Sequence, residues 1–285
     1  MYRAAVVQLN SGGDSEANWR SIESLVRQAA RQGARFVTTP ENAPFLGPHA
    51  EKVRRAEPLD GPSCGRAAEL AADLGVYLLL GSFAERSEDP MRCYNTSVLF
   101  GPAGDRLAAY RKIHLFDVDV SPEVRFQESE TVLPGSETVI ADTGIGQVGM
   151  SICYDLRFPG LYQELRQRGA ELIVIPSAFT AVTGRDHWRV LVRARAIETQ
   201  CFVLAPAQQG RHDDGGLRES YGHSLIVDPW GVVIAEVDAE CPGIAVAEID
   251  RERVSRVRAQ IPVADHARFR STIRESRPRE SSASA

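Results

Sequence analysis

The chain has 285 residues, 43% of them hydrophobic and 25% charged, with a formal net charge of −5. That length supports a sizeable core, in one large α/β domain or in two smaller ones. Mild acidity without a long basic run argues against a surface that tracks nucleic-acid phosphates, and no apolar run reaches bilayer-spanning length.

In chain order, "MYRAAVVQLN" reads as a strand from Ala4 to Gln8 with no signal-peptide pattern. Asp14 is a candidate N-cap for a helix in which Trp19, Ile22, Leu25, Val26 and Ala29 recur at helical spacing before Gly33. The β-branched run "RFVTTP" follows and stops just before Glu41. Helix "CGRAAELAADLG" and strand "VYLLLGSF" come next, then a hairpin in which "YNTSVLF" and "LAAYRKIHL" flank "GPAGD". The strand "GQVGMSI" delivers Cys153 at its end, ahead of Pro159, a suitable first residue for a helix.

"LYQELRQRGAELIVIP" repeats the grammar of the first unit. The spacing from Gly169 to Pro176 equals that from Gly33 to Pro40, which predicts two related helix–strand units in one sheet system. After residue 185, "WRVLVRARAIETQ" is helical and feeds the strand "CFVLAPAQ"; a second hairpin, "HSLIVDPWGVVIAEV", turns at Asp228–Gly231. The strand "GIAVAEID" and a basic helix from Arg251 close the core. Alternating strands and helices with hairpins predict an α/β fold with a mixed sheet covered by helices, not a closed parallel barrel. Residues 1–270 are expected to form one domain and the polar 271–285 a disordered tail.

The five cysteines, Cys64, Cys93, Cys153, Cys201 and Cys241, are odd in number and scattered, which fits a reducing cytoplasm better than a disulfide framework. No ligand spacing for a metal is present, so neither a metal nor a cofactor is expected. A lone cysteine is most often inert core, and a nucleophilic one needs electropositive help. Cys153 has a position that offers it, in a strand-to-helix turn near backbone N–H groups and a helix dipole. Glu41 taken alone is a solvated loop charge and Lys112 an ordinary surface lysine. Together with Cys153 they make a set: carboxylate as base, ammonium as oxyanion stabiliser, thiol as nucleophile. No histidine is required, because a partly buried Glu can accept the thiol proton. Other signals read as structural: "GHSLI" at Gly222 lacks the second glycine of a nucleophile elbow, His114 packs or hydrogen-bonds, Arg189, Arg193, Arg195 and Glu198 form ion pairs or an interface, and Cys201 is core.

"TPEN" around Glu41, "YRKIHLFD" around Lys112 and "SICYDLRFP" around Cys153 resemble, in order and spacing, the three signature stretches of the nitrilase, or carbon–nitrogen hydrolase, superfamily. "PSAFTAVTGRDHWRVLVRARAIETQC", "SYGHSLIVDPWG" and "IPVADHARFR" extend the resemblance over roughly residues 1–270. It implies a four-layer αββα sandwich, homodimers or larger homo-oligomers, and hydrolysis of a small-molecule amide with Glu41 as base, Lys112 at the oxyanion, Cys153 as nucleophile and Glu128 as second glutamate. The Tyr154 backbone N–H is the expected second oxyanion donor. Arg157 matches a family arginine that holds a substrate carboxylate, and Phe179 and Thr183 match positions lining that pocket.

Within the family, the stretches around Phe179, Glu198 and His223 resemble the branch containing deaminated glutathione amidases, which release 2-oxoglutarate and cysteinylglycine. "KIHLFDVDV" leans towards the omega-amidase branch, acting on 2-oxoglutaramate and succinamate, but those enzymes carry a tyrosine where this chain has Gly47. Hydrolysis of N-carbamoyl amino acids is a further alternative, and an idle scaffold that kept the fold is the non-enzymatic one.

Overall fold

The computed structural model describes residues 1–121, 124–212, 218–238 and 242–268; the expected tail at 271–285 and Cys241 lie outside the described residues. The first half of the chain runs β1 (Tyr2–Gln8), α1 (Ser15–Arg31), β2 (Ala34–Thr38), α2 (His49–Arg54), α3 (Pro62–Leu74), β3 (Tyr77–Arg86), β4 (Cys93–Phe100), β5 (Arg106–Arg111), β6 (Asp117–Ser121), β7 (Val124–Gln127) and β8 (Val132–Leu133). The second runs β9 (Ile140–Thr143), β10 (Gly146–Met150), α4 (Pro159–Gln167), β11 (Leu172–Val174), α5 (Ala181–Thr199), β12 (Phe202–Ala205), β13 (Gln209–Arg211), β14 (Glu219–Tyr221), β15 (Leu225–Val227), β16 (Val233–Glu236), β17 (Gly243–Ile249), α6 (Arg251–Gln260) and α7 (Val263–His266).

Two mixed sheets stack face to face with helices outside each, an αββα sandwich. The first has the order β17-β1-β2-β3-β4-β5 with β8 beside β4; the second has the order β16-β15-β12-β11-β10-β9. In each, three parallel strands (β1, β2, β3 and β10, β11, β12) are flanked by antiparallel ones. The two related helix–strand units therefore lie in separate sheets, not in one sheet system. Local spacing encodes a unit and leaves open which sheet it joins.

The two-residue period of the strands builds the layers. On β1, Ala4 and Val6 pack into a core shared with Val148, Met150 and Ile173 of the second sheet. Ala5 and Val7, pointing the other way, meet Trp19, Ile22 and Val26 of α1 and Leu70 of α3. Each large side chain so buried stabilises the fold by roughly 1.5–3 kcal/mol. On the far side, α4 and α5 bury Tyr162, Leu165, Trp188 and Val192, and Trp188 Nε1 donates to the His223 carbonyl at 2.9 Å. The Asp14 carboxylate caps α1 through the amides of Glu16 and Ala17, and Pro159 opens α4.

Two glycines permit the close approaches that shape the site. A Cβ on Gly81 would lie 1.9 Å from the Thr39 carbonyl oxygen and 2.4 Å from that of Pro40, so β3 presses directly on the loop that carries Glu41. A Cβ on Gly184 would lie 2.4 Å from Tyr221 Cβ, and its absence lets α5 lie against β14. Helix α5 begins at Ala181, earlier than the expected start near 185, with Gly184 N donating to Thr180 O at 2.7 Å. Its first turn, Ala-Val-Thr-Gly, follows its alanine with two β-branched residues and a glycine, and the tertiary contact overrides their weak propensity.

Candidate active site

Three chain segments that leave strands converge on one cleft. Glu41 follows β2 and Lys112 follows β5 in the first sheet; Cys153 follows β10 in the second. The site thus sits at the end of the seam between the sheets. Strand β5 stops at Arg111, so Lys112 lies just past it, held by backbone bonds from Lys112 N to Asn95 O at 2.9 Å and from Gly135 N to Lys112 O at 2.8 Å.

The charged floor is closely connected. Lys112 Nζ donates to Glu41 Oε1 at 3.0 Å and to Glu128 Oε2 at 2.8 Å, with Glu128 Oε1 at 3.2 Å. Asn95 Nδ2, from the middle of β4, donates to Glu41 Oε1 at 2.9 Å and to Glu128 Oε1 at 3.3 Å. The second oxygen of each carboxylate takes a backbone N–H at 2.8 Å: Ala178 N to Glu41 Oε2 and Phe116 N to Glu128 Oε2. All four side chains are buried. Burial works against the Lys112 charge, but Glu128 and Glu41 outweigh it and hold the ammonium well above its usual range. Burial likewise opposes ionisation of Glu128, yet Lys112, Lys52 and the donated bonds bring it down from 4.5 to about 2.

Cys153 stands in the left-handed region at φ +47°, an unusual place for a residue with a Cβ. The surroundings enforce it. Cys153 N donates to Pro176 O at 3.0 Å. The fully buried Asp155 carboxylate accepts from Ile152 N at 2.9 Å, Tyr110 Oη at 2.7 Å, His114 N at 3.0 Å and His114 Nδ1 at 2.7 Å. Asp155 therefore ties the cysteine turn to the loop bearing Lys112. His114 takes the hydrogen-bonding and packing role expected of it, its ring stacked 3.7 Å from that of Phe158. Burial and the Glu41 carboxylate beside it push the Cys153 thiol well above its usual value, against the pull of Lys112, so at rest the sulfur keeps its proton.

Of the remaining thiols described, Cys64 is pushed up to about 12 by burial, and burial also raises Cys93 and Cys201. Only Cys153 among the described cysteines lines the cleft. No group of three or more His, Cys, Asp or Glu among the described residues is arranged to hold a metal ion. The structure brings Glu41, Lys112, Glu128, Cys153, Tyr154, Phe179 and Thr183 together around the cleft. Arg157 is not in its lining: its guanidinium lies 4.9 Å from the Phe179 ring centroid, and Nη1 contacts His187 Nδ1 at 3.2 Å. Asn95 and Asp155 went unassigned from sequence. The adjacency of Asp155 to the nucleophile in "CYD" was the one available signal for it, and Asn95 had none.

The model of the carbon–nitrogen hydrolase family matches residues 3–259, and the chain belongs to that family. A deaminated glutathione amidase of Bos taurus is 44% identical over 93% of this chain and 81% of its own length. An omega-amidase of Homo sapiens is 41% identical over 92% of this chain and 93% of its own. Among solved structures, the C. elegans NitFhit protein superposes with a TM-score of 0.88 at 39% identity; the match covers 94% of this chain and 65% of that one. The chain is an enzyme of the carbon–nitrogen hydrolase class.

Proposed function

We propose that this enzyme hydrolyses the amide of deaminated glutathione through a thioester on Cys153. The observation that carries the chemistry is the set of contacts made by Glu41, whose carboxylate touches the Lys112 ammonium and the Ala178 N–H and lies beside the thiol. Glu41 takes the Cys153 proton as sulfur bonds to the amide carbon. The oxyanion is held by Lys112 and the Tyr154 N–H. Lys112 has three N–H bonds for two carboxylates, so one can face the oxyanion, and such a donor contributes about 3–4 kcal/mol. The C–N bond breaks as Glu41 passes its proton to the leaving nitrogen. Water then gives a proton to Glu41 and attacks the thioester, and the departing sulfur recovers that proton. Glu128 and Asn95 keep Lys112 and Glu41 in register.

Gly47 favours this substrate over a primary ω-amide. It lines the cleft, and a Cβ there would lie 2.7 Å from the Phe45 ring. The chain therefore lacks, at this point of the cleft, the tyrosine that the resemblance assigns to omega-amidases. Phe179 and Thr183 form the wall for the acyl half, with the Arg157 guanidinium behind Phe179 adding positive field towards the 2-oxoglutaryl carboxylate. In a panel with 2-oxoglutaramate, succinamate and an N-carbamoyl amino acid, deaminated glutathione is expected to give the highest kcat/KM. Acid-quenched turnover should leave a 2-oxoglutaryl adduct on the Cys153 peptide. A higher kcat/KM for any other member of the panel would reassign the substrate.

A homodimer or larger homo-oligomer fits the surface. Val190 and Ile197 on α5 are 65% and 50% exposed, beside Trp230 and Val232 at 47% and 49%. Apolar residues on one helix face next to an exposed tryptophan mark a protein contact. Val190→Asp with Trp230→Glu should lower the sedimentation coefficient; a wild-type enzyme that sediments as a monomer would remove this reading. A cytoplasmic location is supported by the free state of the four described cysteines.

A further inference from the structure

The cleft carries a cation that the reaction scheme does not use. Lys52, on the short helix α2, is half-buried in the cleft wall, and its ammonium has neither an ion pair nor a hydrogen bond among the described residues. His49, one turn earlier, lines the same wall; its Nδ1 meets Thr131 Oγ1 at 2.9 Å, and its Nε2 contacts Arg218 Nη2. The Arg218 guanidinium in turn covers the Phe126 ring at 5.5 Å. The acid in this part of the lining, Glu219, already faces Arg211 at 3.6 Å. The floor sets two carboxylates against the one ammonium of Lys112, and Lys52 acts on Glu128 through its field without an ion pair or hydrogen bond to it. An unpaired ammonium on a half-buried residue, in a cleft whose wall also holds an arginine, is chemistry for an anion carried by the substrate.

We propose that Lys52, in the cleft wall that also holds Arg218, binds a carboxylate on the leaving amine, and so selects amides of carboxylated amines over primary amides. This rests on the functional reading above, in which the leaving group is cysteinylglycine and ends in a carboxylate. Lys52 is a specificity-determining residue here, on the α2 wall, while the acyl half meets the wall at the start of α5.

The test compares deaminated glutathione with its C-terminal carboxamide, a substrate of the same size without that charge, in wild type, Lys52→Gln, Lys52→Glu and Lys52→Arg. The wild type should favour the carboxylate in kcat/KM by about 10- to 100-fold, the range for a hydrogen bond to a charged group. Lys52→Gln should bring that preference close to one, Lys52→Glu should invert it, and Lys52→Arg should keep most of it. The loss should fall much more on the carboxylate substrate than on the carboxamide. Lys52 also acts electrostatically on Glu128; if that were its role, both substrates would lose equally, and this inference would be overturned. Equal turnover of both substrates by wild type would overturn it too. Failure of wild type to hydrolyse either one, while turning over another amide, would instead overturn the functional reading on which it rests. Melting curves of each variant check that the fold is kept.

Discussion

Cys153→Ala is expected to abolish turnover of every amide, while Cys153→Gly, equally inactive, should be more stable than Cys153→Ala. The first half follows from the proposed thioester, which no methyl group can form. The second follows from the left-handed backbone at this residue, φ +47°. A Cβ in that region costs about 1–2 kcal/mol, and glycine escapes the cost. Brief treatment of wild type with a small electrophile should label Cys153 before Cys64, Cys93 or Cys201, all buried outside the cleft. Glu41→Gln should slow that labelling, since the thiol then has no acceptor for its proton. Peptide mapping that found Cys64 modified first with activity intact would remove Cys153 from the mechanism. Urea denaturation of the two variants tests the strain separately, and equal midpoints would show that the backbone there is relaxed.

Lys112→Met should lower kcat by at least about a hundredfold and cost about 3–5 kcal/mol in stability at neutral pH, the range for stranding a buried charge. Glu41 and Glu128 would then share a buried floor with Asn95 and two backbone N–H groups as their remaining donors. The pH dependence gives the signature. Glu128, held at about 2 instead of 4.5, adds stability that is complete above pH 4.5 and is lost as the pH falls towards 2. Lys112, raised in the folded state, adds stability that is complete below 10.5 and is lost only at higher pH. Between these limits both contributions are whole, and the Glu128 part is roughly 3 kcal/mol. In Lys112→Met the acid-side loss should flatten, because Glu128 has lost the cation that depressed it. Lys112→Met combined with Glu128→Gln should recover part of the neutral-pH deficit. Denaturation at pH 7 and pH 3.5 measures both effects; a single mutant within about 1 kcal/mol of wild type at pH 7 would show that the ion cage is not structural.

The meeting of Glu41, Lys112 and Cys153 in one cleft could be read before the fold because each follows a strand pattern that is local: "FVTTP" before Glu41, "LAAYRK" at Lys112 and "GQVGMSI" before Cys153. What holds the trio could not. Asn95 reads as an ordinary polar residue in "YNTSVLF"; it faces the two carboxylates only because β4 pairs with β3 on one side and β5 on the other. Asp155 is fully buried through bonds to Tyr110 and His114, more than forty positions away. Lys52 sits on a helix too short to show a periodicity, and its place in the cleft depends on the loop after β2. The same reason separates the two helix–strand units into two sheets: spacing is a local property, whereas strand partnership is decided by distant segments.

One such partnership bears on how the molecule is made. Strand β1 is interior to the first sheet, but one of its two neighbours is β17, and the register pairs Gln8 with Gly243. During synthesis at about 5–20 residues per second, β1 leaves the ribosome roughly 10–50 s before the segment that seals its open side. Through that interval a row of unpaired amides on an apolar strand is available to neighbouring nascent chains. Yield in the cell is therefore expected to respond to translation speed and chaperone supply, and any release of the polypeptide before Gly243 leaves a product whose first strand stays unsealed.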